Sequence, residues 1–276
     1  MHAIAANWKA AGDSWTGIPS ETRAHLEVLL TGEDDRTAMA EVVFSSQVLF
    51  FFSADRVWCE AHVLPLLDWA HPVRAQRTWD GYLAWGRWND QLLDAGLLQG
   101  YLAAAGHLGE LGEERRRRLC AHLAGVAVSS EVDPQWMQTF TRAAEPADRV
   151  EWMSQVAWML HDLPGGAVEH QWQRWMRQYW QGRLDSIPVQ LTTEEASAMA
   201  TWVVYLTESI GDGVNLATAH EAGFRGHADI LHELDADRLQ RASPEFAKAD
   251  RPLDAGNSAT FLERPLSGRH RASTAP

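Results

Sequence analysis

The sequence predicts an all-α protein, and three observations carry that prediction. Apolar residues recur at the helical spacings i, i+3, i+4 and i+7 almost without interruption up to about residue 240. No two segments of alternating apolar and polar residues are joined by a tight Asn-Gly or Asp-Gly turn, the strongest short-range sign of a β-hairpin. Helix-start signals are also present. Thr192 and Glu195 have the spacing of a capping box, and Asp133 precedes Pro134, a residue that suits the first position of a helix.

These patterns place about a dozen helices along the chain. In chain order they are Ser20–Leu30, Arg36–Phe52, Val57–Trp69, Pro72–Trp88, Asn89–Ala105, Glu113–Ala127, Asp133–Arg142, Pro146–His161, Ala167–Leu184, Thr193–Thr207, Val214–Ala222 and His227–Arg241. The most apolar window, 42–52, is eleven residues long and lies between Glu41 and Asp55, which favours a buried core helix over a membrane span. Pro65 falls inside the third helix and should kink it, because proline lacks a backbone N–H and clashes with the carbonyl of Ala61.

The predicted architecture is an irregular HEAT-like array of antiparallel helices. Short connections around Gly or Pro favour consecutive helices that pack as pairs, each pair using roughly 40 residues. Because no clean repeat is visible, a multi-helix bundle stays open. Residues 1–241 form one predicted domain. Residues 242–276 contain four prolines and only isolated apolar residues, so we predict a disordered C-terminal tail.

Composition excludes several classes of protein. Lys and Arg number 24 against 37 Asp and Glu, and the net charge of −13 disfavours a nucleic-acid partner. No stretch of about 18 uncharged apolar residues is present, so no membrane span is expected. The two cysteines, Cys59 and Cys120, are too few to staple a secreted scaffold, and the first residues lack a secretory signal pattern. We expect a cytoplasmic protein with reduced, mostly buried cysteines.

Fourteen tryptophans are an unusually high number for 276 residues. Trp172, Trp175 and Tyr179 follow i, i+3 and i+7, and Met176 and Trp180 form an adjacent i, i+4 pair. We predict that such rings fill the gaps between helices. The alternative, a stacking platform for sugars or bases, lacks the basic groove that base stacking normally accompanies.

A second aromatic run recurs at every third position, a spacing at which the rings drift slowly around a helix. Its members are Trp79, Tyr82, Trp85 and Trp88. Gly81 and Gly86 lie among these rings and are expected to let a neighbouring helix approach closely.

The sequence contains no recognisable catalytic, cofactor or metal motif. Cys59 and His62 have helical i, i+3 spacing, but Cys120 and His122 at i, i+2 point to different faces, so a zinc site would need helix distortion. A second group of histidines and acidic residues lacks the H-E-x-x-H spacing of a zinc-binding helix, so we interpret it as solvated helix ends. Its members are His220, Glu221, His227, Asp229 and His232.

A run of four arginines follows Glu113 and Glu114, and its members fan around a helix. They are Arg115, Arg116, Arg117 and Arg118. We expect their stems to cover apolar surface or pair with acids, while a phosphate-binding or contact role stays open.

Several strings, in order along the chain, together resemble one family. They are SADRVW (53–58), HVLPLLDW (62–69), WDGYLAWGR (79–87), DRVEW (148–152), WQRWMRQYWQGRL (172–184) and IPV (187–189). Roughly residues 36–240 resemble the uncharacterised helical domain at the C-terminal end of bacterial proteins whose N-terminal part is sirtuin-like. The motif residues are Trp58, Pro65, Trp69, Trp79, Gly81, Trp85, Trp152, Trp172, Trp175, Tyr179, Trp180, Arg183 and Pro188.

The resemblance implies a helical module beside a portion associated with NAD binding or cleavage, in a context linked to phage defence. The NAD chemistry does not carry over, because nothing here matches the Gly-rich turn or catalytic histidine of a sirtuin-like domain. We therefore expect a non-catalytic scaffold or sensor that contacts a protein partner or a neighbouring sirtuin-like domain. The alternative is an enzyme or small-ligand binder with a site between helices, built from Trp, His and acids such as Asp68, Asp80 or Glu151.

Overall fold

The computed structural model describes residues 1–219, and all regular structure within them is helical. The predicted all-α class is confirmed. The chain divides into two units, Met1–Ile230 and Leu231–Pro276, and every described residue belongs to the first. The predicted helix His227–Arg241, the histidine-rich group from His220 to His232 and the predicted tail 242–276 all lie outside the described residues.

The α-helices are numbered here in chain order. They are α1 (His2–Ala11), α2 (Ser20–Leu29), α3 (Asp35–Ser46), α4 (Val48–Ala54), α5 (Arg56–His62), α6 (Pro72–Trp85), α7 (Asp90–Leu92), α8 (Leu98–Ala105), α9 (Glu113–Ser129), α10 (Trp136–Ala143), α11 (Pro146–His161), α12 (Gly165–Gln171), α13 (Arg177–Leu184), α14 (Thr193–Ala200) and α15 (Ile210–Thr218). Short 3₁₀ turns occupy Gly12–Ser14, Leu64–Leu67, Leu108–Glu110 and Thr201–Tyr205, and π-helical turns occupy Leu93–Leu97 and Trp172–Met176.

Two of the predicted helices change direction within their length. The predicted helix Arg36–Phe52 bends by 73° at Gln47, between α3 and α4. Ser45 and Ser46 just before the break donate to the carbonyls of Val42 and Val43, a local bonding pattern that bends helices. The predicted helix Asn89–Ala105 changes direction at Gly96, whose φ of 124° is in the left-handed region.

The prediction that Pro65 kinks a continuous helix is wrong. Helix α5 ends at His62, and Pro65 instead lies in the first turn of the 3₁₀ segment Leu64–Leu67. Proline is tolerated there because the first N–H groups of a helical segment have no partner within it.

Of the two helix-start signals in the sequence, one is confirmed and one is wrong. The capping box at Thr192 and Glu195 is confirmed, with both of its hydrogen bonds present. The assignment of Asp133 as a helix N-cap is wrong. Its carboxylate accepts from the Gln135 N–H at 2.9 Å, within a turn that precedes the first residue of α10. Helix α1 was not predicted, and Ile4 is its only buried residue, so it carries little of the apolar periodicity that reveals a helix.

The most extensive helix contacts join helices that are not consecutive. Helix α3 packs on α6, and α9 packs on α11. Arg116 of α9 lies against Asp148 of α11, and Gly125 lies against Met159, so these two helices run in the same direction. The expectation that consecutive helices form the main antiparallel pairs is wrong here, because the intervening helices are short.

The parallel packing of alternate helices continues from α11 to α14. Arg149 of α11 contacts Glu195 of α14, and the Trp202 indole donates to the Met153 carbonyl at 2.9 Å. Parallel packing of alternate helices in one layer is what stacked helix pairs produce, but a regular repeat is not established. The HEAT-like arrangement therefore stays a prediction, with the multi-helix bundle as its alternative.

Most tryptophans are buried between helices. Those buried within residues 1–219 are Trp58, Trp69, Trp79, Trp136, Trp152, Trp172, Trp175, Trp180 and Trp202. Trp152 lies within 6.5 Å of the rings of Trp136, Trp175 and Trp202, so one aromatic cluster joins α10, α11, the π-helical turn and the segment after α14. The packing role predicted for the rings is wrong for Trp85, which is 76% exposed.

Gly81 brings α6 against the backbone of α3. A Cβ atom at this position would lie 2.6 Å from the Val42 carbonyl oxygen and 2.8 Å from its Cγ1, both well inside van der Waals contact. The predicted close approach is therefore confirmed at Gly81. It is wrong for Gly86, where a Cβ would collide with Tyr82 of the same helix and not with a neighbouring helix.

No single helix within residues 1–219 is long and apolar enough to cross a bilayer, and only the bent pair α3 and α4 meets the length and composition requirements together.

Candidate interaction surface

The acids named for an interhelical ligand site do not meet. Asp68 accepts from the Ala70 N–H at 2.9 Å, and Glu151 accepts from the side chain of Gln155 at 2.8 Å on its own helix. Asp80 is paired with Arg115 of α9. Each carboxylate has a local structural partner, so these residues do not assemble the acid-lined site of the alternative hypothesis.

The arginine run at the start of α9 is engaged by acids, as one of its two interpretations predicted. Arg116 grips the buried Asp148 through three hydrogen bonds of 2.8 to 3.0 Å. Arg117 and Arg118 both bind Glu114, and Arg115 binds Asp80. The run therefore holds α9 to α6 and α11, and a contact role for its exposed parts stays a prediction.

A buried ionic cluster lies where α11, α13 and α14 meet. Glu195 is fully buried and accepts from both Arg149 and Arg183, the latter at 3.0 Å. Arg149 also donates to the Ala144 carbonyl at 2.6 Å just after α10, and Arg183 donates to the Val189 carbonyl at 2.5 Å. These carbonyls partly offset the second positive charge, and the cluster holds together α10, α11, α13 and α14.

Sequence reasoning found parts of this cluster but not the whole. Glu195 was identified only as a capping residue, and Arg183 only as a motif residue. The partners lie 12 and 46 positions from Glu195, and no spacing rule links such positions.

A shallow cleft lies between α10 and α13, with a volume of about 80 Å³. Its walls carry aromatic, apolar and amide side chains and no charged group. They are Pro134, Gln135, Met137, Gln138, Trp175, Gln178, Tyr179, Gly182 and Ile187. Sites for cofactors and drug-sized ligands typically have about 300 to 1,000 Å³, so this cleft has room for one side chain of a partner rather than for a cofactor.

The two cysteines and their neighbouring histidines do not form a metal site. Cys59 and Cys120 are free and buried, as predicted, and burial raises the pKa of the Cys59 thiol to about 12. His62 stacks on Trp58 instead of turning towards Cys59. Within residues 1–219 no group of three or more His, Cys, Asp or Glu side chains is close enough to hold a metal ion.

His122 has a different environment from the one expected. Its Nδ1 atom lies 2.8 Å from the hydroxyl of Tyr101, which in turn lies 2.7 Å from the hydroxyl of Tyr82. Burial, together with the nearby Arg118 cation, lowers the pKa of His122 to about 4, so the ring is neutral at pH 7. Burial raises the pKa of both tyrosines, so both keep their protons.

One turn after His122, Gly125 of α9 lies against Trp88 and Met159. A Cβ atom at Gly125 would lie 3.5 Å from the Trp88 ring and 3.7 Å from the Met159 methyl group. Trp88 and Met159 are both half-buried. Trp158, the neighbour of Met159 on α11, is 58% exposed, and Trp85 on α6 is 76% exposed. Trp85 and Trp158 therefore lie on the two helices, α6 and α11, that pack against α9.

The comparisons with known proteins concern the second half of the chain. Residues 124–243 match a family described as "Domain of unknown function (DUF4020)". The matched segment includes the ionic cluster, the cleft and Gly125, but it leaves out Trp85 and His122. No curated protein matches the chain, and no solved structure does. The resemblance to sirtuin-associated domains gains nothing from this match and stays an expectation.

Proposed function

We propose that this helical chain is a non-catalytic scaffold or sensor module that makes protein–protein or inter-domain contacts. The observation that carries the proposal is the exposure of Trp85 and Trp158 in a fold that buries most of its tryptophans. A tryptophan side chain buries about 150 to 250 Å² when it is covered, and leaving it in water forfeits that stabilisation. Exposed tryptophans are also enriched among the residues that dominate protein interfaces.

The alternative, an enzyme or small-ligand binder, has less support. The cleft between α10 and α13 is several times smaller than a typical cofactor site, and Asp68, Asp80 and Glu151 are each occupied elsewhere. In the buried ionic cluster, Arg149 and Arg183 are bound to Glu195 and to neighbouring carbonyls, and these contacts hold the fold together. These features favour contact with a partner over chemistry on a substrate.

The family resemblance suggests the first partner to test. We propose that a sirtuin-like domain, in the same protein or in a separate one, is the neighbour that this module contacts. We also propose a cytoplasmic location, which is supported by the two free thiols, Cys59 and Cys120.

The test compares matched surface variants for capture of partners in the native host. The test variant is Trp85→Ser with Trp158→Ser. The control is Val57→Ser with Val73→Ser, which changes two apolar residues that are each 76% exposed. We expect the tryptophan variant to capture at least tenfold less of a defined partner than the parent chain does. The valine variant should capture as much as the parent chain. Equal capture by all three proteins, or no partner above background, would overturn the proposal.

A separate assay addresses catalysis. The purified chain is incubated with NAD, and nicotinamide release is followed by chromatography. We expect no release above that of a heat-denatured sample, and measurable turnover would contradict the non-catalytic assignment.

A further inference from the structure

Residues 1–30, called the strap from here on, follow α4 and α5 in chain order. The strap contains α1, a 3₁₀ turn and α2. Trp8 packs on Phe50 of α4 with the ring centroids 6.3 Å apart, and the Trp15 indole donates to the Ala54 carbonyl at 2.7 Å. Later residues of the strap continue this series of contacts onto α5.

A charged joint holds the middle of the strap at the start of α5. The buried carboxylate of Asp55 accepts from the Ile18 N–H at 3.1 Å and pairs with Arg23 at 2.6 Å. Gly17 lets the backbone come this close, because a Cβ atom there would lie 2.9 Å from Asp55 Oδ2. The φ of Gly17 is 118°, in the region that favours glycine. The sequence therefore supports the closed position of the strap at this joint.

The last turn of α2 covers the indole N–H of Trp58. This group donates to the Glu27 carboxylate at 2.9 Å, and Trp58 is only 3% exposed. Glu27 also lies 3.6 Å from Nε2 of His62, whose ring stacks on that of Trp58. Moving α2 away would therefore expose the indole N–H of a tryptophan that the closed fold buries.

The strap is held mainly by polar contacts, because it buries few side chains of its own. Ile4 and Ile18 are the only buried residues between positions 1 and 30, and α2 buries none. Helix α6 buries six residues within a length of 14. Segments with few buried apolar contacts open locally at a lower free energy than the whole fold, and partly exposed ion pairs add little stability. The strap should therefore open before the rest of the described fold does.

We propose that the strap is a reversible cover, which opens as one unit from α4 and α5 while α6 to α14 stay folded. Opening uncovers the ring of Phe50 and the indole edge of Trp58. A cover of this kind has two states, so a ligand or partner that binds one state better shifts the population towards it. The inference does not depend on Trp85 or Trp158, and it can fail independently of the proposed function.

Hydrogen exchange of indole N–H groups in the full chain, followed by ¹H–¹⁵N NMR at urea concentrations below the unfolding transition, tests the proposal. Trp58 reports the strap. Trp79 and Trp202 report the remaining fold, because they are fully buried and donate to the carbonyls of Leu67 and Met153. We expect Trp58 to exchange at least about 100-fold faster than the other two, with little dependence on urea. Equal rates, or the same urea dependence at all three indoles, would overturn the proposal.

Two variants weaken the closed strap without changing the Trp58 hydrogen bond. Gly17→Ala forces a Cβ atom against Asp55, and Arg23→Ala removes the ion pair. The matched controls are Gly109→Ala, whose Cβ would meet nothing within 4 Å, and Arg56→Ala, in an exposed ion pair on α5.

Each test variant should speed exchange at Trp58 about tenfold and leave Trp79 and Trp202 unchanged. The controls should leave all three indoles unchanged. Acceleration at all three together would show that the variants destabilise the whole fold, and acceleration at none would show that the joint does not hold the strap. Either result would overturn the proposal.

Discussion

Replacing Gly81 by alanine tests the contact between α3 and α6 most severely. The added Cβ would lie 2.6 Å from the Val42 carbonyl oxygen, 2.8 Å from Val42 Cγ1 and 3.3 Å from Ser45 Oγ. Because the closest atom belongs to the backbone of α3, the helices must separate. Overpacking of this kind costs about 1 to 3 kcal/mol, and a backbone collision belongs at the upper end of that range. Alanine recovers about 1 kcal/mol of helix propensity, so we expect a net loss of about 2 kcal/mol.

The assay is urea unfolding followed by circular dichroism, with Gly100→Ala as the matched control. A Cβ at Gly100 in α8 would lie 3.6 Å from the Trp79 ring, which is ordinary contact, so this change should be neutral or stabilise by up to about 1 kcal/mol. We expect the two variants to move the unfolding midpoint in opposite directions or by clearly different amounts. If Gly81→Ala is as stable as Gly100→Ala, the close approach of α6 to α3 is refuted.

Three further predictions concern buried charge, acid sensitivity and thiol reactivity. Glu195→Gln should lower the free energy of unfolding in urea by about 3 to 5 kcal/mol, because it leaves Arg149 and Arg183 without their carboxylate. The control Glu60→Gln, in an exposed ion pair, should lower it by less than about 1 kcal/mol. Equal effects would contradict a structural role for the buried cluster. Glu169 accepts from the N–H groups of Thr207, Glu208 and Ser209, and although burial raises its pKa, these bonds outweigh burial and hold the pKa below 4.5. The stabilisation by Glu169 should therefore be complete above pH 4.5 and disappear as the pH falls through the lowered pKa. The difference in unfolding midpoint between the parent chain and Glu169→Ala should then vanish only in acid. A difference that does not change with pH would contradict this prediction. Burial raises the pKa of Cys59 and Cys120, so neither thiol should react with Ellman's reagent at pH 8 until urea unfolds the chain, and rapid reaction of the native protein would refute their burial.

Local signals in the sequence predicted features that depend on neighbouring residues. The capping box at Thr192 needs only the spacing to Glu195, and the close approach at Gly81 needs only a small residue on a helix face rich in large rings. Proline and serine effects were harder to predict, because the same residue either bends a helix or ends it. Pro65 lies in the first turn of a 3₁₀ segment that begins just after α5 ends, and the serines before Gln47 mark a bend that periodicity does not show.

The exposure of Trp85 could be predicted from the sequence. Rings at every third residue drift by about 60° each around a helix, so Trp85 lies about 120° from Trp79 and leaves the buried face that holds Trp79 and Tyr82. The environment of His122 could not be predicted from the sequence. Its partners, Tyr82 and Tyr101, come from two other helices, and only the tertiary packing of α6, α8 and α9 brings the three side chains together.

Photo-crosslinking inside the native host tests the central claim most directly. A photoreactive benzoylphenylalanine replaces Trp158 in one strain and Val73, which is 76% exposed on α6, in another. The account predicts that irradiation links position 158 to one protein of defined mass and links position 73 to nothing reproducible. No adduct at position 158, or the same adducts at both positions, would contradict an interaction surface that includes Trp158.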